Sequence, residues 1–545
     1  MIFRSIINLF LVFVAPFRAL SRARAAPKGS TVQLELSGTL AEVVGPRRRF
    51  MIDRFLSREK RATSLWNVRE LFDLAAADDR VANVLIVVQR LEAGWAKTHA
   101  LAEAIALLAA KKRVHVHLAQ GGGLKELVLA ASATSASAPP NAHLFLVGMG
   151  GKAIYFKDAL ERVGVEADVQ QRYEFKSAGE MFSRNGMSDE ARAQSERLLD
   201  GISKGAHAII AKKAKRDDLD ALLSSGPYRT DMAISLGLLD TALWDDQLEM
   251  HLGAGGKKPR EISATSYFAR RRRKLFLPLM RKKRIAIVPI SGTIVEEGAG
   301  AASKDLSELL HALKENRGVV GVVLCIDSRG GSAFGSAVIH RAAQVLAEKK
   351  PMIAFMSDYA ASGGYYIAAA GERIFTSPMC VTGSIGVVSV RPIVDPLLEK
   401  LGLHKDGVQR GKHSGMLDAT SRFTPEEKEA MKRLIDETYT EFTGVVQASR
   451  KMTAEKLDTL ARGRVWLGDE AVRQGLADET GGLREAFNAM AAKLPKASRE
   501  PAIVEPRKVK MPSWFRFLSM VDIDIIDPIR LMSAGLLTFE PLRID

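Results

Sequence analysis

The stretch that decides the fold is 319–357, VVGVVLCIDSRGGSAFGSAVIHRAAQVLAEKKPMIAFMS. Residues 319–326 form a continuous apolar, β-branched run, which is typical of a strand buried on both faces of a sheet. After the two glycines, apolar residues recur at helical spacing through 333–350, and Pro351 ends that helix before a second apolar run at 352–357. Strand, helix and strand in this order predict parallel sheets covered by helices, an α/β fold.

The chain contains this pattern twice. Residues 84–87 (VLIV) match residues 322–325 (VVLC) at an offset of 322 − 84 = 238. The same offset relates further pairs: Lys111 and Lys349, Pro140 and Pro378, Gly148 and Gly386, Gly164 and Gly402, Arg172 and Arg410, and Gly237 and Gly475. One offset shared by so many positions indicates a tandem repeat.

The repeat divides the chain into five predicted segments. These are an N-terminal membrane anchor or signal-type segment (1–29), a first α/β repeat (30–252), a basic linker (253–283), a second α/β repeat (284–495) and a C-terminal extension (496–545). The basic runs of the linker, at 270–274 and 281–284, are typical of a solvated connection, and otherwise of a patch for acidic lipid or nucleic acid.

Composition excludes several classes of protein. With 545 residues, 47% hydrophobic and 26% charged, the chain is neither a disordered nor a polytopic membrane protein. Its two cysteines, Cys325 and Cys380, cannot build a disulfide framework, and zinc-ligand spacing is absent from the sequence. The net charge of 79 − 63 = +16 suggests an anionic partner.

The N-terminus raises the question of a membrane. Residues 5–17 carry no charge and are followed by Arg18, Arg22 and Arg24. Thirteen apolar residues are fewer than the roughly twenty that a spanning helix needs, so we expect a membrane anchor or insertion signal rather than a span. A short buried helix is the alternative. Residues 508–517 (KVKMPSWFRF) mix basic and aromatic side chains, which suits either a membrane surface or docking on the body of the protein.

The most informative segment for chemistry is 358–368, DYAASGGYYIA. Ser362 follows a predicted strand and precedes a predicted helix, so its hydroxyl lies near a helix N-terminus, where it could act as a nucleophile or only as an N-cap. The adjacent glycines of DSRGGS leave the N–H of Gly331 free to point into a cleft. Together with the N–H of Gly363, it supplies two donors for an oxyanion beside Ser362.

A serine nucleophile needs a base, and no histidine occurs between His340 and His404. A lysine serves if burial keeps it neutral. Here the sequence resembles the signal peptide peptidase A family of Ser/Lys proteases (peptidase family S49), in its long tandem-domain form. The resemblance covers residues 30–490 and is carried by SGGYYIA (362–368), the glycine pair of DSRGGS (327–332), TGSIGV (382–387) and YEFKSAGEMF (173–182).

The resemblance implies which residues act. Long members of this family take the serine from the second repeat and the lysine from the first, which here implies Ser362 as nucleophile and Lys176 as general base. At the repeat offset, Leu124 stands opposite Ser362 and Ser414 stands opposite Lys176, so each repeat lacks what the other has. Downstream segments align at 236 instead, which would bring Lys412 opposite Lys176 and makes Lys412 the alternative base.

Two further positions are compared with the family motifs. Ser384 matches a serine that helps to hold the lysine, although it could be an ordinary turn serine. Arg329 stands where the family has proline before the two glycines, which puts the geometry of the glycine turn in question.

The remaining implications concern fold, partners and place. The resemblance implies two ClpP/crotonase-like repeats, a bowl-shaped homotetramer, and peptide substrates such as cleaved signal peptides and unfolded apolar segments. It implies no metal, no cofactor and no nucleic acid, and a bacterial inner-membrane protein with periplasmic catalytic domains. Two other hypotheses stay open: a crotonase-type acyl-CoA enzyme, and a membrane-tethered, non-catalytic scaffold.

Overall fold

The computed structural model describes residues 2–45, 63–216, 218–253, 259–273, 276, 282–418, 421–495 and 500–506. The chain divides into two compact units. The first comprises Met1–Met149, Gly201–Arg284 and Pro495–Ile503, and the second comprises Gly150–Asp200, Ile285–Leu494 and Val504–Asp545. Residues 150–200, which belong to the first repeat by sequence, lie in the second unit.

The first unit is built on a sheet that is parallel at every described pairing. The strand order is Glu261–Ser263, Ser30–Ala41, Val81–Glu92, Arg113–Leu118, Ser135–Ala138 and Thr241–Ala242, and Thr63–Ser64 pairs with the second of these. The helices are Ile2–Ala23, Leu65–Ala76, Trp95–Ala109, Leu124–Ala131, Leu219–Ser224, Thr230–Ser235, Leu248–Leu252 and Ala264–Arg271. The boundary between the units falls inside the helix Asp189–Ala214.

Part of the segment predicted as a linker, 253–283, is built into this unit. The strand Glu261–Ser263 pairs with Ser30–Ala41, and the helix Ala264–Arg271 follows it directly. Tyr267 on that helix is fully buried, and its hydroxyl donates to the carboxylate of Asp78 and the carbonyl of Leu74. A buried aromatic side chain with a satisfied hydroxyl is typical of a domain core, so this half of the segment is more than a solvated connection.

The sheet of the second unit runs in the order Val465–Leu467, Val381–Gly383, Met352–Ala361, Val319–Ser328, Arg284–Ser291. Arg373–Thr376 also pairs with Met352–Ala361, further back along the same strand, and Glu479–Thr480 pairs with Arg373–Thr376. The helices are Lys157–Val163, Glu180–Ser183, Ser303–Glu315, Ala333–Ala347, Gly363–Ala368, Asp395–Lys400, Pro425–Arg450, Ala454–Leu460, Gly468–Gln474 and Leu483–Ala492. The predicted α/β class, with parallel strands covered by helices, is confirmed.

The deciding stretch folds as the sequence predicts, with small shifts at its ends. The first strand is Val319–Ser328, the helix is Ala333–Ala347, and the second strand is Met352–Ala361. Ser332 caps the helix by accepting from the N–H of Gly335. The second strand is longer than its apolar run because its last residues pair with Val381–Gly383. This extension carries the chain directly to Ser362.

Candidate active site

Ser362 lies between the strand Met352–Ala361 and the helix Gly363–Ala368, in a conformation that few non-glycine residues adopt. Its backbone angles are φ 53° and ψ −120°, and its N–H donates to the carbonyl of Gly383 at 2.8 Å. Although Ser362 occupies the N-cap position, its side chain makes no capping hydrogen bond. The N-cap role therefore does not account for this serine, and strained residues of this kind cluster at functional sites.

The glycine turn of DSRGGS forms beside Ser362. Gly330 and Gly331 have φ +102° and +150°. Ile294 fixes the turn, because its N–H donates to the carbonyl of Gly330 at 2.9 Å and its carbonyl accepts from the N–H of Ser332 at 2.9 Å. A Cβ on Gly331 would lie 2.1 Å from the carbonyl oxygen of Ile294, and one on Gly330 would lie 2.8 Å from the Cβ of Ser362. Only glycine fits at these two positions.

Both predicted oxyanion donors are unused by the protein. Within the described part of the chain, neither the N–H of Gly331 nor that of Gly363 has a hydrogen-bond acceptor. Gly363 is the first residue of its helix, where backbone N–H groups have no partner inside the helix. Two free donors close to a serine suit the binding of a developing oxyanion.

Arg329 does not prevent the turn from forming. Its guanidinium lies over the ring of Tyr359, with its central carbon 4.1 Å from the ring centroid. The arginine is thus held by an aromatic face, and the glycine turn that follows it has the conformation described above.

Lys176 is buried, with 6% of its surface exposed. Its Nζ donates to the hydroxyl of Ser384 at 2.9 Å and to the carbonyl of the same residue at 2.9 Å. Among the described residues it has no carboxylate partner within ion-pair distance. Burial therefore acts unopposed and lowers the pKa of Lys176 from 10.5 to about 7, so that a large fraction of the amine is neutral at pH 7.

A strand pairing places the lysine in the same unit as the serine. Glu166–Gln171 pairs antiparallel with Val388–Ile393, and just beyond it the N–H of Arg172 donates to the carbonyl of Val387 at 3.0 Å. Lys176 follows a few residues later. Its segment belongs by sequence to the first repeat, but it packs in the second unit.

Ser384 connects the two groups. The N–H of Ser362 is bonded to Gly383, and the amine of Lys176 is bonded to the next residue, Ser384. Ser384 has φ +51° and donates its own N–H to the carbonyl of Arg464 at 2.7 Å. The structure thus attaches the predicted nucleophile and the predicted base to adjacent residues of one chain segment.

The alternative base, Lys412, has a different environment. It lies in an exposed turn, and Ser414 beside it donates its hydroxyl to the carbonyl of Gly411 at 3.0 Å. Lys412 therefore lacks the burial that surrounds Lys176.

Two glycines that lie against the lysine, Gly386 and Gly463, could not be assigned a role from the sequence. Gly386 was noted as a member of the repeat and of the motif TGSIGV but given no role, and Gly463, in RGRVW, was not noted at all. No local signal marks Gly463, because its contact with Lys176 joins segments that are distant in the chain. No group of three or more His, Cys, Asp or Glu residues that could hold a metal occurs among the residues described.

The fold defines the class of protein: an α/β protein with parallel sheets covered by helices. The family model described as "Peptidase family S49" matches residues 106–252 and 344–496, one segment in each repeat. The chain belongs to peptidase family S49, and it is a serine protease.

Individual relatives agree with the family. The chain is 33% identical over 500 residues to "Serine protease SPPA, chloroplastic" of Arabidopsis thaliana, which covers 88% of this chain and 72% of that protein. It is 31% identical over 371 residues to "Protease 4" of Haemophilus influenzae, with 63% and 58% covered. A solved structure of a ClpP1 point mutant from Listeria monocytogenes aligns with a TM-score of 0.26 at 17% identity, over 37% of this chain and 93% of that one.

Proposed function

We propose that the chain is a Ser/Lys endopeptidase in which Ser362 is the nucleophile and Lys176 the general base. The observation that carries this proposal is the hydrogen bond from the buried amine of Lys176 to the hydroxyl of Ser384. The residue before Ser384, Gly383, accepts a hydrogen bond from the N–H of Ser362. Burial without a carboxylate partner provides the neutral amine that the reaction needs.

In the first half of the reaction the neutral Lys176 amine takes the proton of the Ser362 hydroxyl. The serine oxygen bonds to the carbonyl carbon of the peptide, and the N–H groups of Gly331 and Gly363 bind the resulting oxyanion. The Lys176 ammonium then gives its proton to the departing amine as the C–N bond breaks, which leaves an acyl ester on Ser362. In the second half Lys176 deprotonates a water that attacks this ester, and the proton returns to the Ser362 oxygen.

Substrates of this enzyme are extended apolar peptides, such as cleaved signal peptides and unfolded segments. The support is similarity: the chain is 30% identical over 216 residues to a protein named "Putative signal peptide peptidase SppA" of Enterococcus faecium, with 38% of this chain and 63% of that protein covered. The homotetramer belongs to this proposal as well, and it rests on the family resemblance alone.

Association with a membrane surface is the remaining part of the proposal. None of the helices described by the structure combines the length and the apolar character needed to cross a bilayer. On Ile2–Ala23, however, Leu9, Phe13 and Phe17 are exposed at intervals of four residues, and Arg18 and Arg22 follow. An exposed apolar stripe with adjacent arginines suits a helix lying in the interface of an acidic bilayer, here the bacterial inner membrane with the catalytic unit on the periplasmic side.

The test compares three alanine variants on a fluorogenic apolar peptide. Ser362→Ala and Lys176→Ala should lose at least about 10³-fold in kcat, as removal of a nucleophile or its base does, whereas Lys412→Ala should retain it. In the wild type, kcat should rise with pH through a midpoint near 7, the pKa of Lys176. Full activity of Lys176→Ala together with loss in Lys412→Ala would transfer the role of base to the second repeat.

A further inference from the structure

Lys176 lies against two glycines that come from different parts of the second unit. A Cβ built on Gly463 would lie 2.4 Å from the backbone N of Lys176, 2.7 Å from its Cα and 2.8 Å from its Cβ. A Cβ built on Gly386 would lie 3.2 Å from Cδ of Lys176 and 3.1 Å from Cα of Gly463. The backbone and the aliphatic stem of the lysine therefore occupy a slot, defined here as Gly386 and Gly463, that is open only because both residues lack a side chain.

The same segments hold the acceptor of the amine. The N–H of Gly463 donates to the carbonyl of Ile385 at 2.8 Å, and the N–H of Ser384 donates to the carbonyl of Arg464 at 2.7 Å. These two bonds join 384–385 to 463–464 next to the glycine slot. Since Ser384 receives the Nζ of Lys176, the slot that fixes the stem and the residue that receives the amine are parts of one hydrogen-bonded assembly.

A cation–π contact also joins the two segments that meet at the slot. The guanidinium of Arg464 lies over the ring of Phe175, the neighbour of Lys176, with its central carbon 4.0 Å from the ring centroid. Gly463 has φ +86°, a conformation that glycine adopts without strain and that lets the chain turn at the contact with Lys176. Close packing on several sides keeps water from the amine.

We propose that Gly386 and Gly463 are positioning residues for the general base: the glycine slot aligns Lys176 with Ser384 and keeps its amine dry. This inference rests on the proposed function, because it assigns the slot a role in catalysis through Lys176. A methyl group in the slot would displace the lysine stem, lengthen the Nζ contact with Ser384 and admit water. The amine would then be misplaced, and its pKa would return toward the ordinary value of a lysine.

The experiment measures kcat and KM against pH for Gly386→Ala and Gly463→Ala. Each has a matched control. Gly186→Ala adds a methyl group where nothing lies within 4 Å, and Gly402→Ala adds one at φ +68°, again with nothing within 4 Å. Both controls replace a glycine by alanine without placing the new methyl group against Lys176. Gly402→Ala also introduces the strain of an alanine at positive φ, as Gly463→Ala does.

We expect both slot variants to lose roughly tenfold to a hundredfold in kcat at pH 7 with KM nearly unchanged, because displacing a catalytic group by about 1 Å has an effect of this size. The midpoint of the acid limb should rise from near 7 by about one unit, so that part of the activity returns at alkaline pH. The controls should keep the wild-type profile. Gly386→Ala is the milder change, since it meets the aliphatic stem of Lys176 as well as backbone, and it decides the question alone if Gly463→Ala fails to fold.

Two failures are distinguishable. Wild-type kcat and an unshifted acid limb in a folded Gly386→Ala, with Lys176→Ala inactive, would overturn the role of the slot and leave the dyad intact. Full activity in Lys176→Ala would overturn the dyad itself, and the slot would lose its proposed purpose with it.

Discussion

A lysine acts as a base at neutral pH only where water and negative charge are both kept from its amine. At Lys176 the two partners of Nζ are a hydroxyl and a carbonyl, which accept hydrogen bonds without bringing a full charge. A carboxylate at the same distance would stabilise the ammonium and raise its pKa. Ser384 therefore orients the amine without adding the negative charge that would keep it protonated.

The variant Ser384→Ala tests this balance. Loss of the hydroxyl removes one of the two acceptors that Nζ uses, while the carbonyl of residue 384 remains. We expect kcat to fall by about fivefold, which corresponds to about 1 kcal/mol for a single hydrogen bond. Because the lost acceptor also stabilised the ammonium, the acid limb of the pH profile should move to lower pH, the reverse of the shift expected for the glycine slot.

The control for this variant is Ser195→Ala. The hydroxyl of Ser195 donates only to the carbonyl of Ala191 within its own helix. Its removal should leave both kcat and the pH profile unchanged. If Ser384→Ala behaved in the same way, Ser384 would be an ordinary turn serine, which was the alternative that the sequence left open.

At the scale of elements, the sequence predicts structure formed by neighbouring residues but not the pairing of segments that are distant in the chain. The succession of strand, glycine turn and helix around Ser362 could be predicted because apolar period, paired glycines and a proline stop all lie within one short stretch. The packing of residues 150–200 into the second unit could not. It depends on pairing between Glu166–Gln171 and Val388–Ile393, and neither strand carries a pattern that names its partner.

The glycine turn makes its own prediction. Gly331→Ala would force the new methyl group onto the carbonyl of Ile294, so the turn must open and its N–H must leave the position beside Ser362. We expect a loss of about 10²–10³-fold in kcat, the usual effect of removing one oxyanion donor. Gly298→Ala is the control, since φ is +102° there and nothing lies within 4 Å. Unchanged kcat in a folded Gly331→Ala would remove Gly331 from the oxyanion site.

At the scale of the whole chain, equivalent strands of the two repeats pair in the same register, but the side chains at equivalent buried positions differ in polarity. His117 pairs with Ser137 in the first unit, and Phe355 pairs with Phe375 in the second, at the same offset of 355 − 117 = 238. The second repeat thus fills this face of its sheet with apolar side chains, and the first fills it with polar ones. Sequence alignment could locate these positions, but only the structure reveals that the polar side chains are hydrogen-bonded to one another.

In the first unit these side chains form a chain of hydrogen bonds that runs from the core to the surface. Nδ1 of His115 lies 2.7 Å from the hydroxyl of Ser135, and Nε2 lies 2.8 Å from that of Ser137. Ser137 also lies 2.8 Å from Nδ1 of His117, whose Nε2 lies 3.0 Å from the carboxylate of Asp245. If the Nε2–H of His117 donates to Asp245, both hydroxyls must donate to the Nδ1 atom of a neutral histidine.

Acid should therefore weaken the first unit. Burial, aided by the nearby rings of His251 and His117 and by Arg113, lowers the pKa of His115 to about 3, and Asp240 opposes this only in part. Between about pH 3 and 6.5 the unfolded chain binds a proton that the folded unit excludes, so stability falls as pH falls through this window. From pH 7 to 4.5 the loss is about 2.5 kcal/mol for this one group.

The variant His115→Ile installs the residue that the second repeat has at the same position, Ile353, and isolates this contribution. At pH 7 it should be less stable than the wild type by about 1–3 kcal/mol, because Ser135 and Ser137 lose a partner. Its decline toward pH 4.5 should be shallower, since the titrating group is gone. Denaturant unfolding is monitored by the hydrogen exchange of backbone amides in the strand Arg113–Leu118, which belongs to the first unit. This measurement therefore reports on that unit alone. The exposed His404→Ile is the control, and an undiminished acid slope in His115→Ile would show that the buried imidazole does not set the acid limit of the first repeat.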